Sequence, residues 1–230
     1  MVFRFDHTRG LGLMTNDDLS LCEVTAHEVL PTDHDWLLSN GFCEDYRGFW
    51  TQGRSTRIDI SKYKESKTAR RLSKRCVITF GDNLIDDDVI RVYESYCKHK
   101  GFDRMIPIDA YSSCNQLRVY VTGILRSVTF MSDVSENMVS YQFISDYERA
   151  DLSLGSVSQM MECLFARQHG AQYLYIGFGY EESCLYKTRI HGLEWWTGSV
   201  WSSDMSKLIS LMNGDSMLPN CYQITGYAQN

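Results

Sequence analysis

Residues 151–170 read DLSLGSVSQMMECLFARQHG, and the fold turns on them. Asp151 and Ser153 can both cap a helix N-terminus, where free backbone N–H groups need acceptors. Val157, Met160, Met161, Leu164 and Phe165 then recur at helical spacing. His169-Gly170 reads as the stop, glycine suiting the left-handed residue after a helix. A strand-like run, Tyr173 to Phe178, follows at once. Another, Met138 to Ser145, precedes the turn, with Asp146 near its end. The turn therefore joins a strand to a helix in a β-α-β arrangement. Two readings of it stay open: a helix N-terminus that faces a bound anion, or an ordinary capped helix.

Outward from this stretch, 230 residues of which 43% are hydrophobic can bury a substantial core. One domain or two closely packed lobes is the natural division. The expectation is an N-terminal lobe over 1–110 and a second lobe over 111–230, packed as one compact unit. Three prolines leave little room for a linker. No apolar run reaches membrane-spanning length, and MVFRFDHTRG lacks the apolar segment of a secretory signal, so a cytoplasmic protein without a membrane partner is expected. The eight cysteines, at 22, 43, 76, 97, 114, 163, 184 and 221, form no CxxC pair. Neither a zinc site nor an iron–sulfur cluster is indicated, and scattered thiols fit a reducing compartment.

The net charge of −6 argues against a nucleic-acid partner until its distribution is read. Arg54–Arg75 carries Arg54, Arg57, Lys62, Lys64, Lys67, Arg70, Arg71, Lys74 and Arg75 against Asp59 and Glu65. Nine cations less two acids give +7 there, which leaves −13 on the rest of a chain of net −6. A basic patch on an acidic body steers a polyanion to one face. The run serves either as a phosphate-backbone contact or as a solvated helix face.

Along the chain, residues 1–35 read as mostly irregular, with a short strand near Leu21–Val24. Asp35–Phe42 reads as a short helix ended by Gly41, Thr56–Tyr63 as a strand, and Ser66–Arg75 as a basic helix capped by Ser66. Asp86–Gly101 is the clearest helix, acidic at its start and basic at Lys98, His99 and Lys100. Leu117–Met131 and Met138–Ser145 read as an antiparallel pair around Ser132–Asp133. Leu193–Trp201 is a further strand and Met205–Met212 a short helix. This order predicts an α/β (α+β) chain: a mixed sheet with flanking helices.

The order is similar to the acyltransferase fold of the GNAT superfamily, although Arg149-Ala-Asp-Leu-Ser-Leu-Gly155 is not that superfamily's pyrophosphate loop, which disfavours acetyl-CoA. The residues resemble more closely the arginyl and leucyl aminoacyl-tRNA–protein transferases of the N-degron pathway. Asp146-Tyr-Glu-Arg-Ala-Asp-Leu-Ser-Leu-Gly155 keeps that family's Asp-to-Ser spacing, with Tyr147 where proline is usual. Tyr173-Leu-Tyr-Ile-Gly177-Phe, Cys184, Tyr186-Lys187 and Glu194 are similar to its later blocks. Arg57-Ile-Asp-Ile-Ser-Lys-Tyr63-Lys-Glu-Ser66-Lys-Thr-Ala-Arg70-Arg71 looks like its upstream block. The family's N-terminal cysteine pairs are missing, Trp50 and Gly53 falling on two of those positions.

The resemblance implies transfer of an amino acid, arginine first and leucine second, from charged tRNA to the α-amine of a protein or peptide N-terminus. An aminoacyl ester is already activated, so no cofactor and no metal are implied. Asp146 is expected to bind the amine or act as general base. Lys187 is expected to neutralise the oxyanion or an acidic acceptor side chain. Ser153 and Gly155 would receive the tRNA 3′ end; Arg57, Tyr186 and Glu194 would line the substrate pocket. Glu194 either recognises the guanidinium of a transferred arginine or pairs with Arg57 or Arg189. Arg54, Lys62, Lys64, Lys67, Arg70, Arg71, Lys74 and Arg75 would contact the tRNA. Acylation of a small metabolite and acyl-CoA-dependent N-acetylation are the alternatives.

Overall fold

The N-terminal residues form two paired strands: the short one expected near Leu21–Val24 is part of the second, and the first stands where irregular chain was expected. β1 (Val2–Arg9) and β2 (Ser20–His27) run antiparallel, with Val2 opposite His27 and Arg9 opposite Ser20. The period-2 alternation of Phe3, Phe5 and His7 with Arg4, Asp6 and Thr8 was the available signal. Charges in the polar half of that pattern masked it. The computed structural model describes residues 1–9, 20–44, 49–101, 108–148, 150–180 and 182–215. Arg149 and Cys221, which enter the sequence reading, lie outside the described residues.

After these strands come α1 (His34–Ser39), β3 (Phe42–Glu44), β4 (Trp50–Gln52) and β5 (Ser55–Asp59). Then follow α2 (Lys67–Ser73), β6 (Val77–Asp82), α3 (Asp87–Lys100), β7 (Asn115–Val121), β8 (Ile124–Val134) and β9 (Asn137–Ser145). The described chain closes with α4 (Leu154–Gln168), β10 (Tyr173–Phe178), β11 (Leu193–Trp196), β12 (Trp201–Ser202) and α5 (Met205–Asp215). Two compact units result: Met1–Tyr63 with Tyr175–Asn230, and Lys64–Leu174. The boundary expected at 110/111 falls inside the second unit.

In the first unit, β1, β2, β4 and β3 form a sheet in that order. β5 pairs antiparallel with β11, Arg57 opposite Glu194, and β11 pairs with β12. The expected strand Leu193–Trp201 is thus two strands, because Thr197 N–H donates to Val200 C=O at 3.0 Å and turns the chain back.

The second unit is an antiparallel meander in the order β9-β8-β7-β6. Two corrections fall here. Leu117–Met131 is not one strand: Thr122 (φ 53°) and Gly123 (φ 81°) make a two-residue hairpin turn whose left-handed backbone follows the strand twist. The next turn lies at Ser135–Glu136 rather than Ser132–Asp133, since Val134 still pairs with Asn137. β6 was not foreseen. On one face α3 sets Val89, Val92, Tyr93 and Cys97 against Leu125, Val128, Phe130 and Ile144. Strand alternation turns Thr129 to the other face, where it bonds Ser158 of α4 at 2.6 Å. The meander, α4 and β10 follow one another in the expected order, so the α/β class stands.

Local chemistry sets several of the helix ends. Ser66 Oγ accepts from Ala69 N–H at 3.3 Å and caps α2. α4 stops at Gly170 (φ 73°), with Ala171 N–H on Ala166 C=O at 2.9 Å. At the start of α4, however, the expected serine cap does not form. Ser153 stands at the cap position in a left-handed backbone (φ 45°) without a side-chain cap bond. Asp151 instead pairs with Arg75 at 3.6 Å.

At the start of α3, Asp86 Oδ1 accepts from Val89 N–H at 2.9 Å while Oδ2 takes Arg118 Nη1 at 2.7 Å. Partial burial pushes this carboxyl up, but the Val89 N–H and the Arg118 guanidinium outweigh it and hold the pKa below the ordinary value. A depressed pKa means that the folded state binds fewer protons than the unfolded one. The stabilisation is therefore present above roughly pH 4 and is lost as pH falls through the folded-state pKa. Asp86→Ala is expected to cost about 2–4 kcal/mol at pH 7, for a lost cap and a buried guanidinium left without its carboxylate. Urea denaturation at neutral and strongly acid pH checks this, and a cost that does not shrink in acid would contradict it.

Candidate active site

The sequence-predicted residues fall into two sets. Asp146, Ser153, Gly155 and the basic side chains from Lys64 onward belong to the second unit; Arg54, Arg57, Lys62, Tyr186, Lys187 and Glu194 belong to the first.

In the second unit the end of β9 carries Asp146, whose side chain is only 2% exposed. Its Oδ2 takes Arg126 Nη1 at 2.7 Å and Arg91 Nη1 at 3.5 Å. Its Oδ1 accepts from Glu148 N–H at 3.2 Å. Arg126 reaches Glu148 as well, and the bond to Asp146 is the chief reason its pKa is raised. A carboxylate held between two guanidinium groups is a charge anchor before it is a base. To take up an amine it must exchange a partner. Arg91 is the exchangeable one, at 42% side-chain exposure against 11% for Arg126. Neither arginine was singled out from sequence, although Arg126 inside the apolar run Ile124–Val128 was a legible signal.

α4 begins just beyond. Ser153, Gly155 and Ser156 are exposed, and no acidic residue lies in the first turn, whereas α3 has Asp87 and Asp88 there. The positive end of α4 therefore has no acidic side chain from its own first turn against it. Beside it α2 packs on α4. α2 buries Ala69 and Leu72 and exposes Lys67, Arg70 and Arg71; Lys64, Lys74 and Arg75 are exposed as well. The Arg75–Asp151 pair ties the end of this basic segment to the turn that opens α4. Two features that the sequence offered separately are joined by one contact.

The first unit corrects several expectations. Arg54 is fully buried and is no surface contact for RNA: its Nη1 donates to Gly179 C=O at 3.3 Å, and its guanidinium lies 5.1 Å from the Tyr180 ring centre. Lys62 is exposed but pairs with Asp59 at 2.8 Å and Glu194 at 3.3 Å. Arg57 is buried, donating to Glu194 Oε2 from Nε at 3.0 Å and Nη2 at 2.8 Å, and it stacks 4.1 Å from the Trp201 ring centre. Of the two readings of Glu194, the pairing with Arg57 is the one seen. Tyr186 is exposed at 56%. Lys187 is 5% exposed and points its ammonium at main-chain carbonyls of β10, at 2.6 Å from both Ile176 O and Phe178 O. With those bonds made it is not presented to an oxyanion.

Residues 87–197 match the family model described as "Arginine-tRNA-protein transferase, C terminus". That segment belongs to this family. It carries the Asp146 anchor, α4 and the Lys187 helical turn, and the match supports an aminoacyl-tRNA-dependent aminoacyltransferase. No curated relative matches the chain. Among solved structures, the chain is similar to the C-terminal domain (DUF2156) of a protein described as a lysylphosphatidylglycerol synthetase from Agrobacterium fabrum, at 10% identity and TM-score 0.48 over 90% of this chain and 74% of that one. It is also similar to L-PGS from Bacillus licheniformis, at 8% identity and TM-score 0.47 over 64% and 50% of the two chains. A glucosamine N-acetyltransferase region of a fungal multi-domain β-N-acetylglucosaminidase matches at 10% identity and TM-score 0.42, over 74% of this chain and 22% of that one. Among the described residues no helix is long and apolar enough to cross a membrane, and no group of three His, Cys, Asp or Glu is placed to hold a metal ion.

The two arginines on Asp146 differ in burial, and so should their deletions. Arg126→Ala removes the shorter, buried pair and is expected to cost about 3–5 kcal/mol, whereas Arg91→Ala costs about 1 kcal/mol or less. Chemical denaturation of the two variants measures both, and equal losses would remove the distinction between anchor and exchangeable partner.

Proposed function

We propose that the chain transfers arginine, or second leucine, from charged tRNA to the α-amine of a protein or peptide N-terminus, as in the N-degron pathway. The observation that carries this reading is the exposed basic segment Lys64–Arg75 tied through Arg75–Asp151 to the open N-terminus of α4. A polyanion drawn to the segment brings its terminal phosphate and ribose toward Ser153 and Gly155. Lys64, Lys67, Arg70, Arg71, Lys74 and Arg75 form the tRNA surface in this reading.

The chemistry is aminolysis of an ester. The acceptor α-ammonium exchanges with Arg91 at Asp146 and gives up a proton there. The free amine attacks the aminoacyl carbonyl, the C–N bond forms as the bond to the 3′ ribose oxygen breaks, and that oxygen leaves as a hydroxyl after taking a proton. The ester is activated beforehand, so the step consumes no nucleotide and needs no cofactor. Arg126 holds Asp146 in place while the partners change. A supply of charged tRNA fits a cytoplasmic setting.

The deciding experiment supplies labelled arginyl-tRNA and leucyl-tRNA separately, with peptides that begin with Asp, Glu, Arg or Lys, with and without RNase. RNase-sensitive labelling of one peptide class supports the reading; consumption of acetyl-CoA with no labelling overturns it. Labelling of a lipid or small metabolite alone would keep the donor and replace the acceptor. In the same assay Asp146→Asn is expected to lower turnover about 10²–10⁴-fold with tRNA binding unchanged. Reversing Lys67, Arg70, Arg71 and Lys74 is expected to lower the slope of log K against log salt by about one unit per residue, as fluorescence titration of tRNA binding would read.

A further inference from the structure

In a regular strand the carbonyls of residues i and i+2 point the same way and stand about 6.6 Å apart. Lys187 Nζ lies 2.6 Å from Ile176 O and 2.6 Å from Phe178 O, so these two oxygens are at most 5.2 Å apart. They converge because Gly177 between them has φ 72°, a left-handed kink in β10. The third N–H of the ammonium meets Thr56 Oγ1 at 3.3 Å. Thr56 in turn donates its own proton to Gly177 O at 2.7 Å. One residue on, Gly179 O accepts from Arg54 Nη1 at 3.3 Å. Four consecutive carbonyls, from Ile176 to Gly179, therefore each receive a donor from a buried side chain.

A buried set of converging main-chain carbonyls and one hydroxyl is the donor set of a hard monovalent cation. We propose that the kinked end of β10 is an ammonium-type cation site, built from Ile176 O, Phe178 O and Thr56 Oγ1 and filled from within the chain by Lys187. Its ligand class is a primary ammonium: three N–H donors for three acceptors. Lys187 thereby belongs to the framework of the first unit and not to the groups that meet substrate. The assignment stands apart from the choice of donor and acceptor in the transfer reaction.

Lys187→Ala empties the site and leaves a channel that matches n-propylammonium, the part of the lysine side chain beyond Cβ. The variant is expected to lose roughly 5–10 °C in Tm, Ile176 O losing its ammonium donor and Phe178 O keeping the weaker Cys184 thiol at 3.6 Å. n-Propylammonium is expected to restore most of that loss, and tetramethylammonium, of equal charge but without N–H, none of it. Equal recovery with both cations, or no loss in the variant, overturns the proposal. Wild-type protein provides a measurement that does not depend on the variant folding. The ¹⁵Nζ of Lys187 should give a slowly exchanging NH₃⁺ signal with scalar couplings across its hydrogen bonds to the ¹³C carbonyls of Ile176 and Phe178. Couplings to neither carbonyl would overturn it as well.

Discussion

A cation taken out of water must bring its acceptors with it, and this chain buries several inside or beside its strands. Arg54, Arg57, Arg118 and Lys187 are buried, and the Arg126 side chain is only 11% exposed. Desolvating each costs several kcal/mol, which only well-placed acceptors offset. Every one of them therefore fixes the position of something else. Arg118 binds Asp86 and Leu84 O and holds the approach to α3. Arg57 holds β5 to β11 through Glu194. Arg54 and Lys187 hold the end of β10. Arg126 holds Asp146. Such pairs are weak evidence for stability, since an apolar replacement can do as well, but they set register and orientation.

This constraint also explains the fate of the basic run Arg54–Arg75. Read as a linear segment it is one patch of +7. Folded, it is three things. Arg54 and Arg57, at the start of and within β5, are turned inward and consumed by carbonyls, a carboxylate and an indole ring. Lys62, just past the Asp59 turn, is shared between two carboxylates. From Lys64 onward the cations face solvent, because α2 turns Ala69 and Leu72 inward and its basic side chains outward. Net charge of a window counts side chains, whereas a polyanion meets only those that the pleat and the helix leave outside.

The same distinction separates what was legible in the sequence from what was not. α3 and the end of α4 were legible because their signals are local: a capping aspartate, dipole-matched termini, and a closing glycine. The start of α4 was not. Its Asp and Ser look like caps, but Asp151 is claimed by Arg75, which lies far away in sequence. β1 was missed because a charged alternation reads as irregular chain until a neighbouring strand pairs with it, whereas β6, Val-Ile-Thr-Phe-Gly-Asp, is a short apolar run that did carry a strand signal. For the candidate site, Asp146 was located by its place after a strand, while Arg91 and Arg126 are known as its partners only once the sheet brings them together. The Arg57–Glu194 pair was half legible: each residue was suspect, and the strand register decided between the readings.

The departure at Tyr147 carries a physical consequence of its own. Its φ is 55°, left-handed, in the residue that directly follows Asp146. Proline cannot take that conformation, since its ring holds φ near −65°. The turn after β9 therefore cannot be the Asp-Pro turn usual in the resembling transferases. A non-glycine residue at positive φ costs roughly 1–2 kcal/mol. Tyr147 offsets it by stacking on His99, with ring centres 3.8 Å apart and planes 15° apart, an arrangement worth roughly 0.5–1.5 kcal/mol. The left-handed residue brings Glu148 back so that its N–H meets Asp146 Oδ1 and its carboxylate meets Arg126. The turn thus closes on the same guanidinium that anchors Asp146, and a tyrosine stacked on the end of α3 performs here the local ordering that a rigid proline would impose by ring geometry alone.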